Sequence, residues 1–417
     1  MKDTLIIEGG NPLYGKVRAS GAKNAGLVIM AASIMADGET ILDNVPRIRD
    51  VEVMIKILND INVDTRWNED GSLSICPPAG EIKPHTSYEL AKLLRASNLF
   101  LGAMLGRQQE ATVSLPGGCD IGSRPMDLHI KGIQALGAQV NIEHGYIYAR
   151  NQSPGGARIY LDFPSVGATE NIIMMASKTP GLSIIENAGK EPEIVDLANF
   201  LNSMGARIRG AGTDVIKIEG VKELKACRYA IIPDRIEAGT YMVAAAISGG
   251  EVLVENVIPT HLHPIVAKLQ ETGAEVSEVN GGILVRAADK ILPVDIKTLP
   301  YPGFPTDMQS QMMALLSLGE GSSVIVENVF ENRFQIVDEL KRMGANIKVE
   351  GHTAVVDGVS TLYGARVKAT DLRAGAALVL AALVARGQTV IENATYIFRG
   401  YEDISSKLGT LGARVIE

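Results

Sequence analysis

One phrase recurs along the chain, an apolar helix-like segment that ends in Gly-Ala and is followed by another apolar residue. Its glycines are Gly137, Gly205, Gly273, Gly344 and Gly412, and Asn62 takes the glycine's place in a degenerate first copy. These positions are separated by 75, 68, 68, 71 and 68 residues. Glycine permits the left-handed turn that ends a helix, so each copy predicts a helix leading directly into a strand. The chain therefore contains six copies of one unit, each too long for the usual solenoid repeats.

Two further features recur in these units. Five units contain a short strand of mostly β-branched residues that ends in polar residues. These strands are Thr40–Asn44, Ser183–Asn187, Val252–Asn256, Val324–Asn328 and Val390–Asn393. Before each strand lies a small-residue helix that is apolar on most faces and is therefore expected to be buried. The six buried helices are predicted at 25–36, 96–105, 168–176, 238–247, 308–316 and 374–385.

Buried helices need a layer of sheets to cover them. The chain has 417 residues, of which 46% are hydrophobic, so it can bury a large core and suits two domains better than one. Six units divide naturally into two domains of three. The predicted fold class is α/β, with the helices inside and the sheets outside.

Composition argues against several classes of protein. The net charge of −8 is unlike that of a nucleic-acid-binding protein, and the longest apolar runs, such as 374–385, are too short to cross a bilayer. The cysteines Cys76, Cys119 and Cys227 include no CxxC spacing, so they predict neither a disulfide framework nor a zinc site. We therefore expect a cytoplasmic protein that binds neither nucleic acid nor membranes.

Two histidines, His261 and His263, form the one pattern with metal-binding character. On a strand the two imidazoles would share a face, but the sequence offers no third ligand at a metal-like spacing. We predict no metal site and no cofactor.

The second unit breaks the repeat, because its strand at 112–115 runs into the Gly/Pro-rich segment Pro116–Pro125. This segment contains Cys119, with Arg124 five residues further on. A nearby cation favours the thiolate, and glycines give a loop the freedom to close over a ligand. Two interpretations remain open at this point, a reactive thiol on a movable loop or a tight turn with an incidental cysteine.

Charged and polar residues cluster where the buried helices are predicted to begin. They are Lys23, Asn24, Arg95, Thr169, Glu170, Arg235, Glu237, Asp307, Asp371 and Arg373. Helix N-termini attract anions through free N–H groups and the helix dipole, so helices that start on a shared face would form a cleft for an anionic ligand. For Asp307 and Asp371 the alternative is a first-turn acid that only complements the dipole.

Eight segments resemble motifs of the enolpyruvyl transferases, and among them the UDP-N-acetylglucosamine 1-carboxyvinyltransferase family. The segments are 20–25, 116–125, 165–171, 233–237, 304–307, 331–334, 369–374 and 399–402. The resemblance covers nearly the whole chain and implies a two-domain inside-out α/β barrel of six repeats, three in each domain. The domains would be residues 22–233, with the Cys119 segment as a lid, and residues 1–21 with 234–417. The active site would lie in the cleft between them.

The resemblance also implies a reaction, with phosphoenolpyruvate and UDP-N-acetylglucosamine as substrates. The enolpyruvyl group would move to the 3′-hydroxyl of the sugar by addition and elimination, with release of phosphate. This is the first committed step of peptidoglycan precursor synthesis, which would connect the protein to cell-wall biogenesis, cell shape, the cell cycle and cell division. Cys119 would be the general acid, able to form a covalent adduct with phosphoenolpyruvate and to react with the antibiotic fosfomycin. The implied catalytic residues are Cys119, Asp307, Lys23, Arg399 and Asp371.

The substrate-binding residues implied by the resemblance are Lys23, Asn24, Arg95, Arg124, Pro125, Met126, Asp127, Leu128, Asp307, Val329, Arg333, Arg373 and Arg399. Lys23, Arg124 and Arg399 match the family's cluster around the phosphate and carboxylate of phosphoenolpyruvate. Arg333 and Arg373 match its carboxylate-side and closure arginines. A helix dipole makes an aspartate a poorer base, so we expect Asp307 to position the hydroxyl more than to deprotonate it.

Two rival interpretations make different predictions. The sister enzyme 5-enolpyruvylshikimate-3-phosphate synthase shares the family's fold and chemistry, but the Cys119 segment and the Lys23–Asn24 pair favour the UDP-sugar enzyme. A non-catalytic UDP-sugar-binding relative would lack a catalytic residue, and none of those in the family's pattern is missing from this sequence.

Overall fold

The computed structural model describes residues 3–115 and 125–416, and these divide into two compact units. One unit consists of residues 3–20 and 233–416, and the other of residues 21–115 and 125–232. The chain passes between the units after Ser20 and after Ile232. We call them the 233–416 unit and the 21–232 unit.

Helices in the described residues alternate with short strands. The α-helices are α1 (Lys23–Ala32), α2 (Arg49–Asp60), α3 (Tyr88–Ala91), α4 (Phe100–Gln108), α5 (Asp127–Ala135), α6 (Val166–Lys178), α7 (Pro192–Ser203), α8 (Arg235–Ser248), α9 (His263–Glu271), α10 (Gln309–Leu316), α11 (Ile336–Arg342), α12 (Leu372–Val384) and α13 (Ile404–Thr410). Short 3-10 helices lie at Ser33–Met35, Arg95–Leu99, Pro259–His261, Thr306–Met308 and Ala394–Arg399.

The strands are short, as the sequence predicts. They are β1 (Thr4–Glu8), β2 (Tyr14–Arg18), β3 (Thr40–Asp43), β4 (Asp64–Trp67), β5 (Leu73–Cys76), β6 (Glu110–Ser114), β7 (Ala138–Glu143), β8 (Tyr146–Asn151), β9 (Arg158–Tyr160), β10 (Leu182–Glu186), β11 (Arg207–Arg209), β12 (Val215–Glu219), β13 (Arg228–Ala230), β14 (Glu251–Glu255), β15 (Glu275–Val279), β16 (Gly282–Arg286), β17 (Ile296–Lys297), β18 (Ser322–Val326), β19 (Asn346–Glu350), β20 (Thr353–Asp357), β21 (Arg366–Lys368), β22 (Gln388–Glu392) and β23 (Arg414–Ile416).

The described strands form six small sheets with one common order. The 233–416 unit has the orders β2-β14-β16-β15, β17-β18-β20-β19 and β21-β22-β1-β23, and the 21–232 unit has β13-β3-β5-β4, β9-β10-β12-β11 and β6-β8-β7. In each four-stranded sheet the first pair is parallel and the other two are antiparallel. In the three-stranded sheet the parallel partner is reduced to a single bridge between His85 and Thr112. The α/β class is confirmed, and the inside-out barrel stays a prediction.

The predicted helix ends are confirmed by the backbone. Each repeated position has a left-handed φ: Asn62 (67°), Gly137 (101°), Gly205 (105°), Gly273 (96°), Gly344 (98°) and Gly412 (103°). Glycine adopts this conformation without a Cβ clash, and asparagine tolerates it better than most residues. The first copy therefore keeps the turn although it has lost the glycine.

Four of the asparagines that end the repeated strands bind the neighbouring parallel strand through their side chains. Asn44, Asn187, Asn256 and Asn393 have φ values of 57°, 55°, 57° and 57°. The side-chain nitrogen of Asn256 donates to the carbonyl of Ala19, the residue that follows β2, over 2.7 Å. Asn44, Asn187 and Asn328 make the same kind of bond to the residue that follows β13, β9 and β17, respectively. These bonds explain why the repeated strand ends in a polar residue.

Each unit has its own apolar core, formed around the predicted buried helices. Every residue from Ile236 to Ser248 in α8 is buried, and α12 is buried from Arg373 to Leu383. Helices α1, α4, α6 and α10 are buried along most of their length as well, so the six predicted buried helices are confirmed, although the one at 96–105 begins as the 3-10 helix Arg95–Leu99. None of the helices in the described part of the chain is both long and apolar enough to span a membrane.

One predicted helix start is wrong. Helix α6 begins at Val166, because the side-chain oxygen of Ser165 accepts a hydrogen bond from the backbone N–H of Ala168 and caps the helix. Thr169 and Glu170 consequently lie inside the helix and not at its start. Glu170 is buried, and burial together with Glu193 and Glu191 raises its pKa well above the ordinary value.

Candidate active site

Asp307 lies between two buried guanidinium groups in the 233–416 unit. Its carboxylate accepts a 2.7 Å hydrogen bond from Arg333 through one oxygen and a 3.0 Å bond from Arg373 through the other. Arg333 and Arg373 are 3% and 4% exposed. Asp307 sits in the 3-10 turn Thr306–Met308 that leads into α10, and Arg373 sits in the first turn of α12. The starts of these two buried helices therefore meet, as the sequence predicts for a shared face.

The charges of this cluster suit an anionic ligand. Burial would lower the pKa of Arg373, but Asp307, Tyr401 and Asp234 together outweigh it and the pKa is raised, so the guanidinium stays charged. Two guanidinium groups beside one carboxylate leave an excess of positive charge. The buried Nε of Arg333 has no hydrogen-bond partner among the described residues. Guanidinium forks match the geometry of carboxylate and phosphate groups.

Glu327 fixes the segment that carries Val329 next to the Asp307 turn. One carboxylate oxygen of Glu327 accepts the hydroxyl of Thr306 over 3.0 Å. The other accepts the backbone N–H groups of Val329 and Phe330 over 2.8 and 3.0 Å. Glu327 is the polar end of a repeated strand, so the repeat itself brings Val329 and Asp307 together.

Asp371 caps the N-terminus of the helix that follows it. It is the N-cap of α12, and its carboxylate accepts the backbone N–H groups of Arg373 and Ala374 over 2.8 and 3.1 Å. Asp307 makes no such cap, since its carboxylate is used by the two arginines. Of the two, Asp307 is the first-turn acid that the alternative describes, but its carboxylate is bound by two arginines, whereas Asp371 has a structural role as an N-cap. Arg399 is half-buried at the end of the 3-10 helix Ala394–Arg399.

In the 21–232 unit, Lys23 is the first residue of α1 and pairs with an acid that the sequence analysis did not identify. Its ammonium nitrogen lies 2.6 Å from a carboxylate oxygen of Asp50, in the first turn of α2. The Lys23 and Asp50 side chains are 13% and 3% exposed. Neighbouring Asn24 is exposed. A buried carboxylate of this kind holds a lysine ammonium group in place.

Arg95 begins the 3-10 helix Arg95–Leu99 and lies near a buried histidine. Burial, with a smaller contribution from the charge of Arg95, lowers the pKa of His129 to about 3. His129 accepts a 2.8 Å hydrogen bond from Asn171, which also donates to the carbonyl of Asn98. This part of the 21–232 unit therefore contains a positive charge beside a neutral imidazole.

The remaining predicted residues lie at the start of α5 or outside the described residues. Asp127 is exposed at the first position of α5, Leu128 is half-buried and Pro125 is exposed. Met126 is buried, and its sulfur accepts a hydrogen bond from Asn98 over 3.4 Å. Cys119 and Arg124 fall within 116–124, outside the described residues.

The histidine pair differs from the expected strand. His261 ends a 3-10 helix and His263 begins α9, so the two imidazoles do not share a strand face. Residues 3–115 and 125–416 contain no group of three or more histidine, cysteine, aspartate or glutamate side chains arranged to hold a metal ion.

Comparison with known proteins decides the family. The model of the family described as EPSP synthase (3-phosphoshikimate 1-carboxyvinyltransferase) matches residues 7–408. The chain belongs to this family of enolpyruvyl transferases. A relative from Caldanaerobacter subterraneus subsp. tengcongensis, named UDP-N-acetylglucosamine 1-carboxyvinyltransferase 1, is 54% identical over 415 residues, covering 100% of this chain and 99% of the relative. The Staphylococcus aureus protein of the same name is 53% identical over 416 residues, covering 99% of each chain.

Solved structures of other enolpyruvyl transferases have the same fold. The enolpyruvyl transferase NikO from Streptomyces tendae superposes with a TM-score of 0.89 at 25% identity, covering 99% of this chain and 98% of that chain. EPSP synthase from Acinetobacter baumannii gives a TM-score of 0.76 at 17% identity, covering 100% of both chains, which shows the fold alone.

Proposed function

We propose that this enolpyruvyl transferase moves the enolpyruvyl group of phosphoenolpyruvate to the 3′-hydroxyl of UDP-N-acetylglucosamine and releases phosphate, the first committed step of peptidoglycan precursor synthesis. The observation that carries this function is the match, along the whole chain, to relatives that are about half identical and bear the name of that activity. The sister activity on shikimate 3-phosphate has less support, because the EPSP synthase structures are 17% and 18% identical.

The reaction requires an addition and an elimination. A proton is added to C3 of phosphoenolpyruvate, and the sugar hydroxyl forms a C–O bond to C2 while losing its own proton. The C2–O bond to phosphate then breaks and C3 gives up a proton, which leaves an enol ether and free phosphate. The enzyme must supply one proton to C3, accept one from the alcohol, accept one from C3 in the elimination and hold two anionic substrates.

Asp307 is assigned to the sugar hydroxyl. Its two carboxylate oxygens already accept bonds from Arg333 and Arg373, and each oxygen keeps a further lone pair that can accept the 3′-hydroxyl. Two guanidinium groups stabilise the negative charge, which weakens the carboxylate as a proton acceptor. The contacts therefore support a positioning role for Asp307 over a role as a strong base.

The other predicted roles are part of the same proposal. Cys119 is the general acid and forms the covalent adduct with phosphoenolpyruvate, and Asp371 lies beside the reacting carbon. Lys23, Arg124 and Arg399 bind the anionic groups of phosphoenolpyruvate, with Arg333 and Arg373 on its carboxylate side. Contacts to the UDP-sugar come from Asn24, Arg95, Arg124, Pro125, Met126, Asp127, Leu128, Asp307 and Val329. The opposite charges at helix starts in each unit support these assignments.

The finer biological setting belongs to the proposal as well. We place the enzyme in the cytoplasm, where its product would feed cell-wall biogenesis and so affect cell shape, the cell cycle and division, and we propose that fosfomycin alkylates Cys119. The finer architecture, an inside-out barrel of six repeats, is supported by the strand order common to the six sheets.

Acceptor choice tests the function. The purified protein should release phosphate from phosphoenolpyruvate when UDP-N-acetylglucosamine is added and should release none with shikimate 3-phosphate. The reverse preference would assign the chain to the sister activity. Calorimetric binding of UDP-N-acetylglucosamine without phosphate release would identify a non-catalytic binding protein.

A further inference from the structure

A pair of buried hydroxyl groups lies next to the cluster formed by Asp307, Arg333 and Arg373. Tyr401 and Thr240 are 1% and 2% exposed, and their hydroxyl oxygens are 2.9 Å apart. The Tyr401 oxygen is also 3.2 Å from Nη1 of Arg373, while Nη2 of the same guanidinium group donates to Asp307. Gln311, fully buried on α10, donates to the same oxygen over 3.3 Å and to the backbone carbonyl of Asp307 over 2.8 Å.

The direction of every hydrogen bond in this group follows from which atoms can only donate. Guanidinium and amide N–H groups have no acceptor capacity, so Tyr401 accepts from Arg373 and from Gln311, and the Gln311 amide also donates to Thr240 over 3.3 Å. Its own proton must then go to Thr240. Thr240 in turn donates to the backbone carbonyl of Ile236 over 2.8 Å. The chain of donors therefore runs from Arg373 through Tyr401 and Thr240 to the α8 backbone.

We propose that Tyr401 is a positioning residue of the transfer reaction, whose hydroxyl fixes the plane of the Arg373 guanidinium and thereby the carboxylate of Asp307. The inference rests on the proposed function, and it adds a residue that acts through Arg373 without touching substrate. Thr240 and Gln311 support Tyr401 in this role.

Two hydrogen bonds fix the orientation of a planar guanidinium group, whereas a single hydrogen bond lets the group rotate. With Asp307 alone, the Arg373 guanidinium can rotate about a single hydrogen bond, and the bond to Tyr401 removes that freedom. Burial raises the pKa of Tyr401, so its hydroxyl keeps the proton that it donates to Thr240. The ring of Tyr401 also lies 5.6 Å from the guanidinium carbon, so replacing tyrosine by phenylalanine keeps the packing and removes only the hydroxyl.

The test is the Tyr401→Phe variant, with rates expressed per binding-competent site. Calorimetric stoichiometry with UDP-N-acetylglucosamine counts those sites, so partial misfolding does not imitate the effect. We expect kcat for phosphate release to fall roughly 10- to 100-fold, as expected for losing a hydrogen bond to a buried charge. The KM for UDP-N-acetylglucosamine should stay within roughly twofold, because the network would reach this substrate only at one sugar hydroxyl, through Asp307.

Tyr241→Phe is the matched control. Tyr241 is next to Thr240 on α8 and is 1% exposed, but its hydroxyl has no hydrogen-bond partner among the described residues. This variant should keep the wild-type kcat. Thr240→Ser keeps the acceptor for the Tyr401 proton and should also keep kcat, whereas Thr240→Val should lower it in the same direction as Tyr401→Phe.

A double-mutant cycle with Arg373→Lys separates positioning from general structural support. Arg373 bonds Tyr401 and Asp307 through two different nitrogens and a lysine has only one, so Tyr401→Phe should add little to the loss already caused by Arg373→Lys. Additive losses in the cycle, or an unchanged kcat in Tyr401→Phe, would overturn the inference. A wild-type protein that releases no phosphate with both substrates would instead refute the proposed function.

Discussion

The side-chain nitrogen of Asn171 donates to Nδ1 of His129 over 2.8 Å in the core of the 21–232 unit. The amide orientation is fixed, because the oxygen of Asn171 accepts the backbone N–H of Gly102 over 2.6 Å and its nitrogen also faces the carbonyl of Asn98. Nδ1 of His129 is therefore the acceptor, and the ring carries its proton on Nε2. A second proton, on Nδ1, would face the donating amide nitrogen of Asn171. It would also give the buried ring a positive charge near Arg95.

This relationship predicts an acid-sensitive unit. The pKa of His129 is lowered to about 3 from an ordinary value of 6.5. Between these two pH values the histidine is protonated in the unfolded chain and neutral in the folded chain. The stability contributed by neutral His129 is complete above pH 6.5 and is lost as the pH falls towards 3, by about 2 kcal/mol at pH 5. Urea unfolding at pH 7 and pH 5 measures this loss. His129→Gln should lose less stability over that interval than wild type, and equal losses would contradict the tautomer and its cause.

Asp307→Asn should remove activity through the arginine cluster. The substitution leaves two buried guanidinium groups without their carboxylate, so kcat/KM should fall at least about 100-fold and the unfolding free energy by about 3 kcal/mol. Steady-state kinetics and chemical unfolding measure the two effects. Asp289→Asn, an exposed aspartate of the same unit, should change neither quantity. Wild-type turnover in Asp307→Asn would remove Asp307 from the site.

Asp371→Asn and Asp371→Ala separate a helix cap from a catalytic carboxylate. Asparagine keeps the cap of α12 and alanine loses it, so only the alanine variant should lose about 1 kcal/mol of unfolding free energy. If Asp371 also acts beside the reacting carbon, both variants lose phosphate release. Full activity in Asp371→Asn would leave this residue with the cap as its single role.

The sequence predicts the local conformation of this chain better than its contacts. Gly137 and its equivalents end helices because one residue decides the backbone angle, and that information lies within a few positions. The start of α6 is also set locally, because Ser165 caps the helix and α6 begins at Val166. The pattern of apolar residues, from which the helix was predicted, contains no information about this cap.

The contacts between these side chains, unlike the helix ends, could not be predicted from nearby sequence. Asp50 beside Lys23 and Tyr401 beside Arg373 each lie 27 or 28 residues away in sequence, and Asn171 lies 42 residues from His129. No short-range spacing relates them, since helix packing brings them together. The motifs pointed to Lys23 and Arg373, whereas their contacts with Asp50 and Tyr401 are evident only in three dimensions.

Cys119→Ser should abolish both turnover and labelling by fosfomycin. The thiolate is the stronger nucleophile, and a serine hydroxyl at neutral pH stays protonated. Mass spectrometry of the labelled protein locates the adduct. Cys76→Ser and Cys227→Ser should label like wild type, since burial raises the pKa of Cys227 and makes it less reactive. Labelling at Cys76 or Cys227 in the Cys119→Ser variant would refute the assignment of Cys119.

The identity of the product tests the central claim most directly. Purified protein is incubated with phosphoenolpyruvate and UDP-N-acetylglucosamine, phosphate is quantified, and the sugar product is examined by NMR. The account predicts one phosphate per molecule of product and vinyl signals from an enol ether on the 3′-oxygen. Phosphate release with an unchanged sugar, or transfer only to shikimate 3-phosphate, would contradict it.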